Sequence, residues 1–182
     1  SLDRQLRGLS AELRAKEEEV GKLSQARQRL ISTFTNELRE REVQITQMGD
    51  SLTLEMVGGI LFHSGHAGLS DQGMEVLRRV GEAIKGVEDK LIRIEGHTDN
   101  VPISSRNFAD NWDLSLQRAR TVLLKLVELG VPPERLTAAG HADTAPVASN
   151  DTEEGRQLNR RIEIVLMPNL DELPDLSSLT GE

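Results

Sequence analysis

Cysteine is absent from the 182 residues. That excludes a disulfide framework, a thiolate metal site and thiol redox chemistry. Aromatic residues make up only 2 %, so any core must be built from Leu, Val and Ile. No stretch approaches 18 consecutive apolar residues, so no segment reads as a membrane span. No Lys/Arg run stands out either, and a net charge of −8 argues against a nucleic-acid binder. The chain starts on Ser1 without a signal-peptide pattern. The expectation is the soluble part of a longer protein, meeting a membrane only through an N-terminal anchor outside these residues.

What is present divides into three parts. Residues 1–42 hold 9 basic and 8 acidic side chains, residues 43–167 hold 13 and 18, and residues 168–182 hold none and 4. The first part reads as one long helix over 2–38. Leu6, Leu13, Val20, Arg27 and Phe34 fall on one seam position of a heptad, and Leu2, Leu9, Lys16, Leu23 and Leu30 on the other. Eight of these ten are apolar, with charged flanks, as in a coiled coil. A homodimer or a spacer is expected, against the alternative of one amphipathic helix packed on its own domain. Gly8 and Gly21 weaken it by about 1 kcal/mol each relative to Ala.

From Val43 the period becomes two. Val43, Ile45 and Gln47, then Leu52, Leu54 and Met56, flank a Gly49-Asp50 turn and predict a hairpin. Gly58-Gly59 breaks the second strand. Ser70 reads as a cap for a helix over 71–85, with Met74, Leu77, Val80, Ala83 and Ile84 as its apolar stripe. A strand follows over 91–95. A helix over about 113–130, capped by Asn111 or Asp113, ends at Gly130 before Pro132-Pro133. Short strands at 135–139 and 161–166 flank a turn of helix at 153–158. The fold class is α/β, an α+β sandwich with a mixed sheet covered by helices on one face. Residues 168–182 form an acidic tail.

Chemistry concentrates between Leu91 and Arg120. A strand end, a polar loop and a helix start come together there, a common place for a small polar ligand. Asp99 follows the strand and Arg118 lies early in the helix. Facing one pocket, they suit a ligand bearing both an ammonium and a carboxylate, with Arg gripping the carboxylate through two parallel bonds. They could equally pair with each other or cap backbone.

GHTDN at 96–100 and NWDLSLQRA at 111–119 resemble the OmpA-like peptidoglycan-binding domain, shared by outer-membrane anchors, peptidoglycan-associated lipoproteins and MotB-type flagellar stator proteins. Ile60–Leu69, Leu129–Leu136, Gly140, Pro146 and Asn159-Arg160-Arg161 match further landmarks, so the resemblance covers roughly 43–167. The loop from Val101 to Ala109 and the run ASNDTEEGRQLNRR are closest to the MotB-type branch. The resemblance implies non-catalytic binding of peptidoglycan through the diaminopimelate of its stem peptide, anchoring an envelope protein or complex to the wall in the periplasm of a Gram-negative-type cell. By matching position Asp99 takes the ammonium and Arg118 the carboxylate. Thr98, Asn111 and Leu114 line the pocket, and Asn159 and Arg160 approach from the last strand or pair structurally at the sheet edge. A stator also needs an ion-carrying transmembrane helix, which these residues do not contain.

The residues also contain the elements of two other classes. His63, His66, His97 and His141 invite a metal, but nothing in the sequence makes them converge, and the expectation is no metal and no cofactor. His97, Asp99 and Ser104 or Ser105 are the residue types of a nucleophilic triad, yet no GxSxG elbow occurs, so no enzyme is expected. The alternative function is a coiled-coil assembly module of an envelope complex that does not bind peptidoglycan.

Overall fold

A computed structural model describes residues 43–49, 51–88 and 90–169, and, in the N-terminal segment, 7, 8, 10, 11, 13–18, 21, 25, 28, 31 and 32. The chain divides into two compact units, Ser1–Glu37 and Leu38–Glu182. The described residues of the first unit are helical, and Leu13, a seam position, is exposed. Leu2, Leu6, Leu9, Val20, Leu23, Arg27, Leu30 and Phe34 lie outside the described residues, as does the tail from residue 170. No helix among the described residues is long and apolar enough to cross a membrane.

The described residues of the second unit are built on five strands: β1 (Gln44–Met48), β2 (Ser51–Val57), β3 (Lys90–Gly96), β4 (Leu136–Gly140) and β5 (Arg161–Pro168). Their spatial order is β1-β2-β5-β3-β4. Only β3 and β4 run parallel, and the other pairs are antiparallel. The expected hairpin forms with Met48 opposite Ser51 and Gly49 at φ +57°. Alternation then sorts the sheet. Leu54, Met56, Ile92, Ile94, Ile162 and Ile164 are fully buried on one face. The intervening positions on the other face carry Glu55, Arg93, Glu95, Arg161 and Glu163. Full burial of each such aliphatic side chain stabilises by roughly 1.5–3 kcal/mol.

Among the described residues, four α-helices and a 3-10 turn at Pro133–Arg135 complete the unit: α1 (Gly58–Leu61), α2 (Asp71–Lys85), α3 (Asn111–Glu128) and α4 (Glu153–Asn159). The break read at Gly58-Gly59 is the single turn α1. In α2 the cap is the expected Ser70, whose Oγ accepts from Gly73 N at 2.9 Å and donates to the Ile60 carbonyl at 2.7 Å. Its buried stripe is Val76, Leu77, Val80, Gly81 and Ile84, while Met74 is exposed.

The start of α3 differs from expectation. Asp110, not Asn111 or Asp113, is the cap, accepting from Asp113 N at 2.8 Å. Asp113 reaches back to Ala109 N at 3.1 Å, a reciprocal arrangement close to a capping box. That frees the Asn111 side chain for the loop before it. The far end follows the sequence reading. Gly130, at φ +96°, donates to the Val127 carbonyl and Val131 N donates to the Leu126 carbonyl, a Schellman closure.

Two glycines let α3 sit directly on the sheet. A Cβ at Gly96 would lie 2.1 Å from Ser115 O, and one at Gly140 would lie 2.7 Å from Leu116 N. Any side chain at these two strand ends would lift the first turns of α3 off the sheet. The same two glycines therefore set where Arg118 stands relative to the loop after β3.

Candidate ligand site at the strand ends

The loop after β3 is tied down from several directions. His97 N donates to the Arg161 carbonyl at 3.0 Å and Thr98 N to the Ala142 carbonyl at 2.8 Å. The Thr98 hydroxyl donates to the carbonyl of Asp99 at 2.8 Å. Asn111 Nδ2 reaches back from α3 to the carbonyls of Asp99 at 3.4 Å and Val101 at 3.0 Å. Thr98 and Asn111 therefore fix the backbone on either side of Asp99.

Asp99 is only 6 % exposed. Its Oδ1 accepts from Val101 N at 3.0 Å, and its Oδ2 accepts from Arg160 Nη1 at 2.5 Å. Arg160 also donates through Nη2 to Glu153 Oε1 at 2.6 Å, joining the α4–β5 junction to the loop. Burial works against its charge, but the bonds to Glu153 and Asp99 outweigh that and hold the guanidinium above its ordinary value. Glu153 was not singled out by sequence reasoning. Its signal is its place in the first turn of α4, seven residues before Arg160.

Arg118 is 7 % exposed and stands one turn beyond the buried Leu114 on α3. Its Nε donates to the carbonyl of His66 at 2.9 Å, and its guanidinium carbon lies 4.9 Å from the centre of the Phe62 ring. A Cβ on Gly58 would stand 3.8 Å from its Nη1. Among the described residues no carboxylate pairs with it. Burial pulls the group down to about 10, the nearby Arg160 charge adds to the fall, and Asp99 opposes it. Arg118 remains a cation at neutral pH, but a poorly compensated one.

Asn159 has a different task. It is fully buried, and its Oδ1 accepts from Val147 N at 2.8 Å and Ala148 N at 3.0 Å. Its Nδ2 donates to Ala148 O at 2.9 Å and Asn150 Oδ1 at 2.8 Å. Four hydrogen bonds exhaust the ordinary capacity of a carboxamide. Asn159 thus ties down the 147–150 loop and has no donor left for a ligand. Of the seven sequence-selected residues, Thr98, Asp99, Asn111 and Arg160 are in direct contact, and Arg118 with Leu114 flanks them from α3.

A second polar cluster lies on the other face of the same strand ends. His97 and His141 stack with ring centres 4.8 Å apart and planes within 6°, beside Glu95. Nothing in the sequence makes the histidines converge, and it is the parallel pairing of Gly96 with Gly140 that puts the two that follow side by side. The repeated Gly-His after two parallel strands was the available signal. Burial pushes His97 down to about 4, with the Arg161 charge adding to the fall.

This geometry can be set beside known proteins. The OmpA family model matches residues 61–160. Motility protein B of Bacillus subtilis (strain 168) is 32 % identical over 130 residues, which is 71 % of this chain and 50 % of that protein. Peptidoglycan-binding protein ArfA of Mycobacterium tuberculosis (strain H37Rv) is 38 % identical over 109 residues, 60 % of this chain and 32 % of that protein. Among solved structures, the cell wall anchor of the T6SS from Pseudomonas aeruginosa superposes with a TM-score of 0.72 at 32 % identity, covering 77 % of this chain and 97 % of that one. The chain thus spans about half the length of the first relative, or less. The match takes in Phe62, Asp99, α3 with Arg118, and Arg160, and the chain belongs to the OmpA family.

Proposed function

We propose that the domain binds peptidoglycan without chemistry and so attaches an envelope protein to the cell wall. Two similarities support the reading: a relative named as peptidoglycan-binding and a structural neighbour described as a cell wall anchor. The observation that carries it is the state of Arg118. A guanidinium 7 % exposed that donates to one backbone carbonyl and rests on one aromatic ring retains terminal donors for a carboxylate. Leaving a buried charge without a counter-ion is costly, and an incoming carboxylate relieves that cost.

The finer reading is a clamp for a zwitterion, with the diaminopimelate of the stem peptide as ligand. Arg118 takes the carboxylate, and Arg160, close enough to perturb Arg118, faces the same anion from the other side. Asp99 takes the ammonium through lone pairs not used by Val101 and Arg160. Thr98, Asn111 and Leu114 shape the wall around them, and Asn159 acts at one remove by fixing the 147–150 loop. Opposite charges a fixed distance apart select a zwitterion over either charge alone. The same reading places the domain in the periplasm, held to a membrane by a segment outside these residues. The 2–38 helix pairs two copies, and two linked sites raise avidity. Whether the protein works as a stator or a passive anchor depends on that outside segment.

The test is co-sedimentation with purified diaminopimelate-type sacculi. The wild type is expected to pellet, and Asp99→Ala and Arg118→Ala to stay in solution while keeping their circular dichroism. A wild type that stays in solution overturns the reading in favour of a coiled-coil assembly module. Pelleting of folded Arg118→Ala at wild-type level would remove the clamp while keeping wall binding.

A further inference from the structure

The cluster at Glu95, His97 and His141 has the composition and spacing of a metal site, and nothing in the peptidoglycan reading uses it. We propose that these three residues bind a divalent transition-metal ion of the zinc type. Their candidate ligand atoms all lie within 4.8 Å of one another. Glu95 Oε2 is 3.5 Å from His141 Nε2 and 3.9 Å from His97 Nε2, and Glu163 Oε1 is 3.6 Å from His97 Nε2. Ligands at zinc bond lengths in tetrahedral array stand about 3.3 Å apart. Against that spacing the two Glu95–histidine distances are long by about 0.6 and 0.2 Å, and tilting of the stacked rings has to bring the two imidazole donors, within 4.8 Å of each other, closer by as much as about 1.5 Å.

The surrounding residues orient the donors. Arg93 Nε holds Glu95 Oε1, which leaves Oε2 turned toward both imidazoles. Arg161 holds Glu163 with Nη2 at 2.6 Å. Such outer partners commonly fix a ligating carboxylate. The two arginine charges oppose a cation, and the two carboxylates they hold offset them.

An independent observation points the same way. His97 is 4 % exposed, yet neither Nδ1 nor Nε2 has a hydrogen-bond partner among the described residues, and His141 Nε2 is buried and equally without one. Buried polar atoms are rarely left this way, and each costs stability. A metal supplies Nε2 of both rings with a partner at once. Two imidazole nitrogens and one carboxylate oxygen favour Zn²⁺, Ni²⁺ or Cu²⁺ over Mg²⁺ or Ca²⁺. With three protein ligands, Glu163 or water completes the sphere. The ion would join the ends of β3 and β4 across their parallel seam, two residues before Asp99.

The experiment is calorimetric titration of the chelator-stripped full chain with Zn²⁺, Mg²⁺ and Ca²⁺, with thermal melts in parallel. Saturable Zn²⁺ binding at one site per chain and a raised Tm are expected, with no comparable response to Mg²⁺ or Ca²⁺. His141→Gln and Glu95→Gln are each expected to weaken Zn²⁺ binding at least ten-fold. His63→Ala, which removes an exposed histidine three residues from His66, is expected to leave it unchanged. Absence of saturable Zn²⁺ binding overturns the proposal, as does loss of binding in His63→Ala with retention in His141→Gln. If the ligand variants do not fold, Co²⁺ absorption of the wild type decides. Intense visible bands of a four-coordinate ion support the site, and the weak spectrum of the hydrated ion overturns it. Sacculus binding enters none of these readouts, so this proposal and the peptidoglycan reading can fail separately.

Discussion

Arg118 and Arg161 are buried to nearly the same degree, 7 % and 4 % exposed, but their donors are used differently. Arg161 lies in β5 and meets Glu163 through Nε at 2.8 Å and Nη2 at 2.6 Å. It also donates to the carbonyls of Asn159 at 3.5 Å and Ala145 at 3.2 Å. Arg118 donates from Nε to the His66 carbonyl and rests against Phe62. One guanidinium is matched by its own fold, and the other meets no carboxylate among the described residues. Burial by itself therefore does not mark a functional cation. The role proposed for Arg118 rests instead on unused hydrogen-bonding capacity, and the same criterion separates Asn159, fully engaged, from His97, which is not.

The contrast is sharpest in a pair of substitutions. Arg161→Ala strands Glu163 beside Glu95 on the sheet and is expected to cost about 3–5 kcal/mol in urea unfolding, the range for breaking a buried ion pair. Arg118→Ala removes one backbone hydrogen bond and one ring contact, and relieves an uncompensated charge. It is expected to lower stability by less than about 1.5 kcal/mol. Equal losses in the two variants would dissolve the distinction between them.

Asn159→Ala comes next in size. It leaves Val147 N, Ala148 N and Ala148 O without their partner, so a loss of about 1–3 kcal/mol is expected. Hydrogen exchange should rise within 147–150 before it rises at Asp99. Protection in that loop unchanged from wild type would show that the amide does not anchor it.

The smallest stability effect is expected for Arg160→Ala. Arg160 is a third exposed on its side chain, and its bonds to Asp99 and Glu153 are partly screened, so about 1 kcal/mol or less is expected. Binding to sacculi should fall by roughly ten-fold if Arg160 shares the ligand carboxylate with Arg118. Tighter binding would mean that Arg160 competes with the ligand ammonium for Asp99.

Much of this was legible in the residues. Period-two runs gave β1 and β2 and an apolar run gave β5; one face of β2 and of β5 meets an aliphatic core, while β1 is exposed except for the half-buried Ile45. Ser70 marked the start of α2, and Gly130 with Pro132-Pro133 marked the end of α3, because caps are local chemistry. Where local signals competed, the reading slipped. Asp110, Asn111 and Asp113 are all plausible caps, and the choice of Asp110 goes with Asn111 being recruited by carbonyls ten and twelve residues earlier. Met74 and Leu116 sit on apolar periodicities but are exposed, since the width of a buried stripe is set by what packs on it.

The candidate site divides along the same line. That Asp99 and Arg118 carry opposite charges on either side of a loop is a property of the sequence. So are the aliphatic composition of the core, the absence of thiol chemistry and the start and stop signals of α2 and α3. That Arg160 rather than Arg118 pairs with Asp99, that Asn159 is consumed by its own loop, and that His97 meets His141 and Glu95, only the tertiary structure decided. The Arg160–Asp99 bond and the His97–His141 stack depend on strand order and register, which bring residues 61 and 44 positions apart into contact, and the Asn159 loop closes over 9 to 12 positions. Propensity and period act over a few residues and carry no information at that distance.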